Sequence, residues 1–322
     1  MRFGIIGTGR ITRRLVVDLQ STPGVTVTAL ASRDAVRANW TAGQYGIAKA
    51  LEGYQTLLDS DLVDAVYIAL PPSLHATWSI AAAEAGKHFL CEKPLATSLA
   101  EANSIADAAN KANVRWLDAT AWLHHSRTAA MREFIANGTI GNLRHISAAV
   151  SFFEPFQDNE HRRDQSLGGG CLLDLGWYAA GCAIAVAGPA RRVFASVIQR
   201  DGVAFRVSAT LWFDNDVTAT INCGYDIATR KWMEWAGDQA SIICDDFTRP
   251  WAERPPRIWI HDRAGAVTSH QYAGSQERKM IETLVDGSDL KTFHQQAIRT
   301  QATIDAMLRS AQTEQVELVP CE

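Results

Sequence analysis

Along the first 120 residues, apolar and polar positions switch period in a regular alternation. RFGIIG (2–7) is a short apolar run, after which Ile11, Leu15, Val16 and Leu19 recur at helical spacing. PGVTVTALAS opens on a Pro-Gly turn and reads as a second strand. DAVYIAL (64–70) is a third strand, and SLHATWSIAAAEAG is a helix stopped by Gly86. KHFLCE, SLAEANSIADAANKAN and VRWLDAT continue as strand, helix and strand. This alternation predicts a doubly wound parallel sheet over 1–120, with ligands beyond the carboxyl ends of its strands.

From about residue 121 the pattern changes. SRTAAMREFIANGTIG reads as a helix and turn. Strand-like runs follow at 143–153, 192–200, 203–213, 217–225, 240–244, 257–261 and 266–272. They are short or alternating, as in an antiparallel sheet with one solvent face. Helices are expected at about 275–286 and 292–312, with QVELVP as a last strand. The chain is therefore expected to be α/β, with a second α/β domain over 121–322 built on a large, mostly antiparallel open sheet. The uncovered face of such a sheet would leave a large apolar patch on a monomer, so a homodimer or homotetramer through that face is expected. KWMEW (231–235) either anchors that interface or lies in the core.

Composition narrows the function. A formal charge of −4 without a dense Lys/Arg block argues against nucleic acid and anionic membranes as partners. Cysteines 91, 171, 182, 223, 244 and 321 form no C-x-x-C pair, which suits a reducing compartment. Met1 and Arg2 lead straight into the first strand, with no room for a leader, and no run of about 18 apolar residues appears. A cytoplasmic protein without a membrane span is expected. No histidine pair has metal-ligand spacing with carboxylate support, so no metal is expected.

GIIGTGRIT places a glycine turn between a strand and a helix. Gly7 permits the tight turn, and Gly9 lets the backbone approach a pyrophosphate. The candidate phosphate loop is Gly7, Thr8, Gly9, Arg10 and Ile11, with Thr12 where a third glycine is usual. The second strand ends in Ser32 and Arg33 rather than in an acid that would bind a ribose 2′-hydroxyl. A hydroxyl and a guanidinium suit a 2′-phosphate, which favours NADP, with NAD as the alternative. The competing account is that Ser32 and Asp34 cap the next helix and Arg33 stacks on adenine.

FLCEKPLAT (89–97) ends a core strand on two charges and a proline. LGGGCLLDLGWYAAG (167–181) places three glycines before a helix carrying Asp174 and Tyr178, four residues apart and so on one face. An acid and a phenol in an apolar helix are costly unless they face a polar cleft. The glycines are read as a loop that approaches a ligand.

Taken in order, GIIGTGRIT, PPSLH, EAGKHFLCEKPLAT and LGGGCLLDLGWYAAG resemble the Gfo/Idh/MocA family of NAD(P)-dependent oxidoreductases, from residue 2 to about 313. The resemblance implies a Rossmann domain followed by the open-sheet domain. It implies Lys93 in the active site, often before a cis proline bond, with Glu92, Leu70, Pro71, Pro72 and His75 on the cofactor side. Tyr178 stands where many members have histidine, which is similar to the glucose–fructose oxidoreductase and dihydrodiol dehydrogenase branches. The implied reaction moves hydride between nicotinamide and a sugar, cyclic polyol or dihydrodiol. In it Tyr178 is the acid/base, Lys93 tunes it and Asp174 holds a neighbouring hydroxyl. TAWLHHS (120–126) partly matches a substrate-side motif, making Trp122 and His125 candidate pocket residues, with Arg162 from DNEHRRDQS (158–166) as another. A satisfied structural histidine and a solvated charge run are the alternatives there. A dinucleotide-binding sensor without turnover, and a glycosidase using NAD transiently, are competing functions for this fold.

Overall fold

The computed structural model describes residues 1–153, 156, 160–251 and 254–320. It forms two compact units, Met1–Thr120 with Glu277–Gln295, and Ala121–Gln276 with Gln296–Glu322.

In the first unit the strands are β1 (Arg2–Ile6), β2 (Thr26–Ser32), β3 (Lys49–Glu52), β4 (Ala65–Ile68), β5 (His88–Cys91) and β6 (Trp116–Asp118). All pair in parallel, in the order β3-β2-β1-β4-β5-β6. The helices are α1 (Thr12–Ser21), α2 (Ala35–Tyr45), α3 (Tyr54–Leu58), α4 (His75–Glu84) and α5 (Leu99–Ala112). Phe3, Ile5, Ile6, Val66, Tyr67, Ile68, Phe89, Leu90 and Cys91 are fully buried. Strands covered on both faces read as continuous apolar runs rather than alternating ones. The order reverses at β1, which lies between β2 and β4, so the crevice beyond the ends of β1 and β4 is the switch point where such folds bind ligands. The edge strand β3 has no apolar pattern, because all four of its residues are at least partly exposed.

The second unit contains α6 (Ser126–Ala136), β7 (Leu143–Phe153), α7 (Trp177–Ala187), β8 (Arg192–Arg200), β9 (Val203–Trp212), β10 (Thr218–Gly224), β11 (Asp226–Gly237), β12 (Ala240–Cys244), β13 (Arg257–Asp262) and β14 (Val267–Gln271). After α8 (Gln276–Asp286) and α9 (Leu290–Thr313) comes β15 (Glu317–Leu318). The sheet order is β14-β13-β12-β11-β7-β10-β9-β8-β15, antiparallel except for β10 against β7.

Two expectations need correction. The domain 121–322 is not one continuous block, because Glu277–Gln295 clusters with the first unit. Two contacts explain why. Arg115 donates to the Val285 carbonyl, and the His294 ring stacks on Trp116 at 4.0 Å while donating Nε2–H to the Trp116 carbonyl at 2.7 Å. Next, β11 is a long central strand that the pattern did not reveal. Its register shifts between Asp226 and Arg230, which breaks the alternation. Met233 and Trp235 of β11 are fully buried, whereas Trp232 lines the opposite face. The open face carries a groove whose exposed surface is mostly apolar. The groove encloses about 550 Å³, with Phe194, Ile221 and Trp232 as its large apolar groups among small alanine, serine and threonine side chains. The stretch Gln165–Ala187 is long and apolar enough to cross a membrane, but 72% of the residues in its most apolar 18-residue window are buried, and it includes α7 in the core.

Candidate active site

The first unit carries the candidate dinucleotide-binding residues. Gly7 has φ +106°, and a Cβ there would lie 2.4 Å from the Ala69 carbonyl oxygen, so only glycine fits. Gly9 differs: a Cβ would meet nothing nearer than Ala69 O at 3.7 Å, so the protein's own packing does not demand glycine. Room at that position suits close approach by a ligand. The N-terminus of α1 has no side-chain cap and no acid in its first turn, so its amides suit an anion. Thr12 takes the third glycine's place by donating its hydroxyl to the Gly7 carbonyl at 3.3 Å. Thr8 is half-buried, while Arg10 and Ile11 are exposed.

At the end of β2, Asp34 caps α2 by accepting from Arg37 N–H at 2.9 Å, and Ser32 Oγ accepts from Asp34 N–H at 3.3 Å. The capping account of Ser32 and Asp34 therefore holds locally. Arg33 is exposed. Burial raises the Tyr54 phenol above its ordinary pKa, and the neighbouring Arg33 and Arg37 guanidiniums oppose that rise. Arg37 thus joins Arg33 beside Tyr54. Its place one helical turn beyond Arg33 is a signal that sequence reasoning passed over.

Glu92 and Lys93 follow β5. Glu92 is 9% exposed, accepts from the Tyr67 hydroxyl at 2.5 Å, and has its carboxyl pushed up by burial, with Tyr67 and Lys93 opposing. This is not a surface ion pair at a strand end. Lys93 is half-buried, and the Lys93–Pro94 peptide is cis. Leu70 and Pro71 are half-buried and Pro72 is buried. His75 is fully buried, with its ring between the carbonyls of Pro94 and Leu70.

The second unit, taken by itself, carries the candidate acid and phenol. From Cys171 to Ile184 every residue is buried except Asp174 and Tyr178, which are half-buried. Leu172–Gly176 forms a π-helical turn before α7, a distortion found frequently at functional sites. Asp174 Oδ2 accepts from Arg162 Nε at 2.6 Å and from the Tyr225 hydroxyl at 3.1 Å. Arg162 also reaches Glu160 at 3.1 Å. Asp174 holds the Arg162 guanidinium well above its usual pKa, while burial and then Asp174 raise the Tyr225 phenol, which stays a neutral donor. Arg162 is thus a built part of the acid's surroundings and not a solvated charge. Asp158 and Asn159 of the same segment lie outside the described residues.

The glycine triad has a packing role within the unit. A Cβ on Gly169 would lie 2.7 Å from the carbonyl oxygens of His161, Arg162 and Asp164. Gly169 and Gly170 N–H donate to the Asp164 and Arg162 carbonyls, both at 2.9 Å. The glycines let this backbone close on 161–164, and that closure sets Arg162 against Asp174.

Trp122 and His125 are also corrected. Trp122 is fully buried and packs edge-on to Phe247. His125 is 2% exposed and caps α6, with Nδ1 accepting from Arg127 N–H at 3.0 Å and Nε2 donating to the Gly274 carbonyl at 3.3 Å. Both are core groups rather than pocket walls. Sequence reasoning missed Tyr225, Glu160 and Tyr67. Tyr225 follows β10 directly, with nothing nearby to mark it as chemical.

A switch-point sheet with an anion-ready glycine turn, and an acid–phenol pair on an otherwise buried helix, define a dinucleotide oxidoreductase. Residues 1–119 match the Gfo/Idh/MocA oxidoreductase family with its NAD-binding Rossmann fold, and 128–245 match a C-terminal domain of the same family. D-xylose 1-dehydrogenase (NADP(+)) 2 of Haloferax volcanii is 37% identical over 319 residues, 97% of this chain and 98% of its own. The dTDP-3,4-didehydro-2,6-dideoxy-alpha-D-glucose 3-reductase of Streptomyces antibioticus is 34% identical over 81% of this chain and 80% of its own. The crystal structure of KijD10, a 3-ketoreductase from Actinomadura kijaniata in complex with NADP and TDP-benzene, is similar with a TM-score of 0.90 and 29% identity, covering 96% of this chain and 97% of that one. The chain belongs to the Gfo/Idh/MocA oxidoreductase family.

Proposed function

We propose that the protein is an NADP-dependent oxidoreductase of a sugar, or of a related cyclic polyol or dihydrodiol, with Tyr178 as the acid/base. The observation that carries this is the exposure pattern of 171–184, where only the acid and the phenol break an apolar, buried stretch. Bound NADP supplies or accepts the hydride. The chain's own residues do the rest. The glycine turn and the α1 N-terminus hold the pyrophosphate, and Arg33 with Arg37 takes the 2′-phosphate. Asp174, fixed by Arg162 and Tyr225, accepts a hydrogen bond from a substrate hydroxyl. Tyr178 exchanges the proton of the reacting oxygen, and the Lys93 ammonium favours its charged form. The xylose dehydrogenase and the dideoxyglucose 3-reductase among the relatives support a sugar as substrate. A panel of aldoses, ketosugars, inositols and dihydrodiols, followed by nicotinamide absorbance with each cofactor, tests the proposal. Stoichiometric, NADP-preferring turnover is expected. Binding without turnover would favour a sensor, and sugar hydrolysis without net cofactor change would favour a glycosidase.

Arg33→Ala should weaken NADP binding by roughly 1.5–3 kcal/mol, the range for charge-assisted hydrogen bonds, and leave NAD almost unchanged. Calorimetric titration with both cofactors checks it, and equal loss for both removes Arg33 from 2′-phosphate recognition.

We further propose a homodimer or homotetramer through the open face of the β14–β15 sheet, in the cytoplasm. The groove on that face exposes apolar groups, Phe194 and Trp232 among them, that a second sheet packed at about 10 Å would cover. The described cysteines are all free and buried, which agrees with a reducing compartment. Light scattering is expected to give a multiple of the 35.3 kDa chain mass, and the chain mass itself at micromolar concentration would reject the assembly.

A further inference from the structure

His75 carries a chemical constraint that none of the roles above uses. Its ring is fully buried, with Nδ1 2.7 Å from the Pro94 carbonyl oxygen and Nε2 2.8 Å from the Leu70 carbonyl oxygen. A carbonyl oxygen only accepts, so each ring nitrogen must donate. A neutral imidazole has one N–H and would turn a lone pair toward the other oxygen. The two carbonyls belong to different working segments. Leu70 follows Ala69, and these residues form the wall against which Gly7 is packed. Pro94 directly follows Lys93.

We propose that His75 is a positioning residue held as an imidazolium, clamping the Lys93–Pro94 turn to the loop that backs the phosphate turn. Its effect on turnover rests on the assignment of Lys93 above, whereas its protonation does not. Two influences oppose the charge: burial, and the N-terminus of α4, whose dipole disfavours a cation. Two carbonyl dipoles aimed at the ring offset them. The elements packed on α4 are α3, β4, β5, α5 and the Pro72–Leu74 turn. Their titratable groups are Tyr54 on α3, Tyr67 on β4, His88 and Cys91 on β5, and Glu101, Asp107 and Lys111 on α5, with Glu92 and Lys93 just after β5. Tyr67 donates to Glu92, and Glu101 accepts from the Thr97 backbone and hydroxyl, so these partners are engaged with one another.

The test is nitrogen-15 NMR of the histidine rings in the cofactor-free protein, assigned through bonds. Both nitrogens of His75 should show imidazolium shifts at pH 7.5, about a unit above the ordinary histidine range. A pyridine-type nitrogen on His75 at that pH would overturn the protonation. His75→Gln, which can donate to one carbonyl only, should lower kcat by about 10- to 100-fold through misplacement of Lys93, with substrate KM little changed. An unchanged kcat with only a lower melting temperature would reduce His75 to a structural group. If Lys93→Ala leaves kcat intact, the assignment of Lys93 fails while the NMR result still decides the state of His75.

Discussion

Tyr178→Phe is expected to lower turnover by about 10²–10⁴-fold, the usual worth of a positioned acid/base. The substitution removes only the hydroxyl and keeps the ring on α7, where Trp177 and Ala179 on either side are buried. Hydride transfer develops charge on the substrate oxygen, and a proton must be exchanged there as it forms. NADP affinity should be nearly unchanged, because the glycine turn lies in the other unit and needs no phenol. Lys93→Met should also cut turnover. The double variant should lose much less than the product of the two effects, since residues acting as one unit are not additive. Near-full activity in Tyr178→Phe would end the assignment. Because His125 caps α6 with both ring nitrogens engaged, it does not stand ready as a substitute, and Asp174 would be the next group to test.

The candidate cofactor residues were legible as a pattern, and the reason is physical. A parallel strand followed by a glycine turn and a helix puts its chemistry in consecutive residues, so Gly7, Gly9, Ser32, Arg33 and Lys93 could be read from local spacing. Asp174 and Tyr178 were legible for the same reason, being one helical turn apart. What holds Asp174 was not legible as a set. Arg162 is 12 residues before it and Tyr225 is 51 after it, and only the closure of the glycine backbone brings the first of them in. Trp122 and His125 misled because an aromatic and a histidine in a partial motif look alike in a core and in a pocket. Burial separates the two cases, and burial is a tertiary property. The strand β11 was hidden by its bulge and by two basic residues in its run, Arg230, which donates to Ser151 of β7, and Lys231, which donates to the Arg249 carbonyl beyond β12.

Asp246→Ala is expected to destabilise the second unit by about 3–5 kcal/mol, the cost of leaving a buried charge without its partner. Arg127 of α6 and Asp246, just beyond β12, form an ion pair whose side chains are 1% and 2% exposed. The guanidinium also donates to the Asp246 and Phe247 carbonyls, at 3.4 and 3.2 Å. The carboxylate in turn accepts from Trp251 N–H at 3.2 Å, so the pair fastens α6 to the chain leaving the sheet. Alanine at 246 removes the countercharge and leaves the guanidinium with carbonyl dipoles alone. Asp246→Asn keeps a hydrogen-bond acceptor and should lose less. Arg127→Met combined with Asp246→Leu removes both charges and fills the space, so it should recover most of the loss, because an apolar replacement of a buried pair is often neutral. Urea midpoints at constant m-value measure each step. With two compact units, the transition must be followed by a probe in the second, such as Trp122, which packs on Phe247. A midpoint shift for Asp246→Ala of less than about 1 kcal/mol, as exposed pairs give, would show that water reaches the pair in solution.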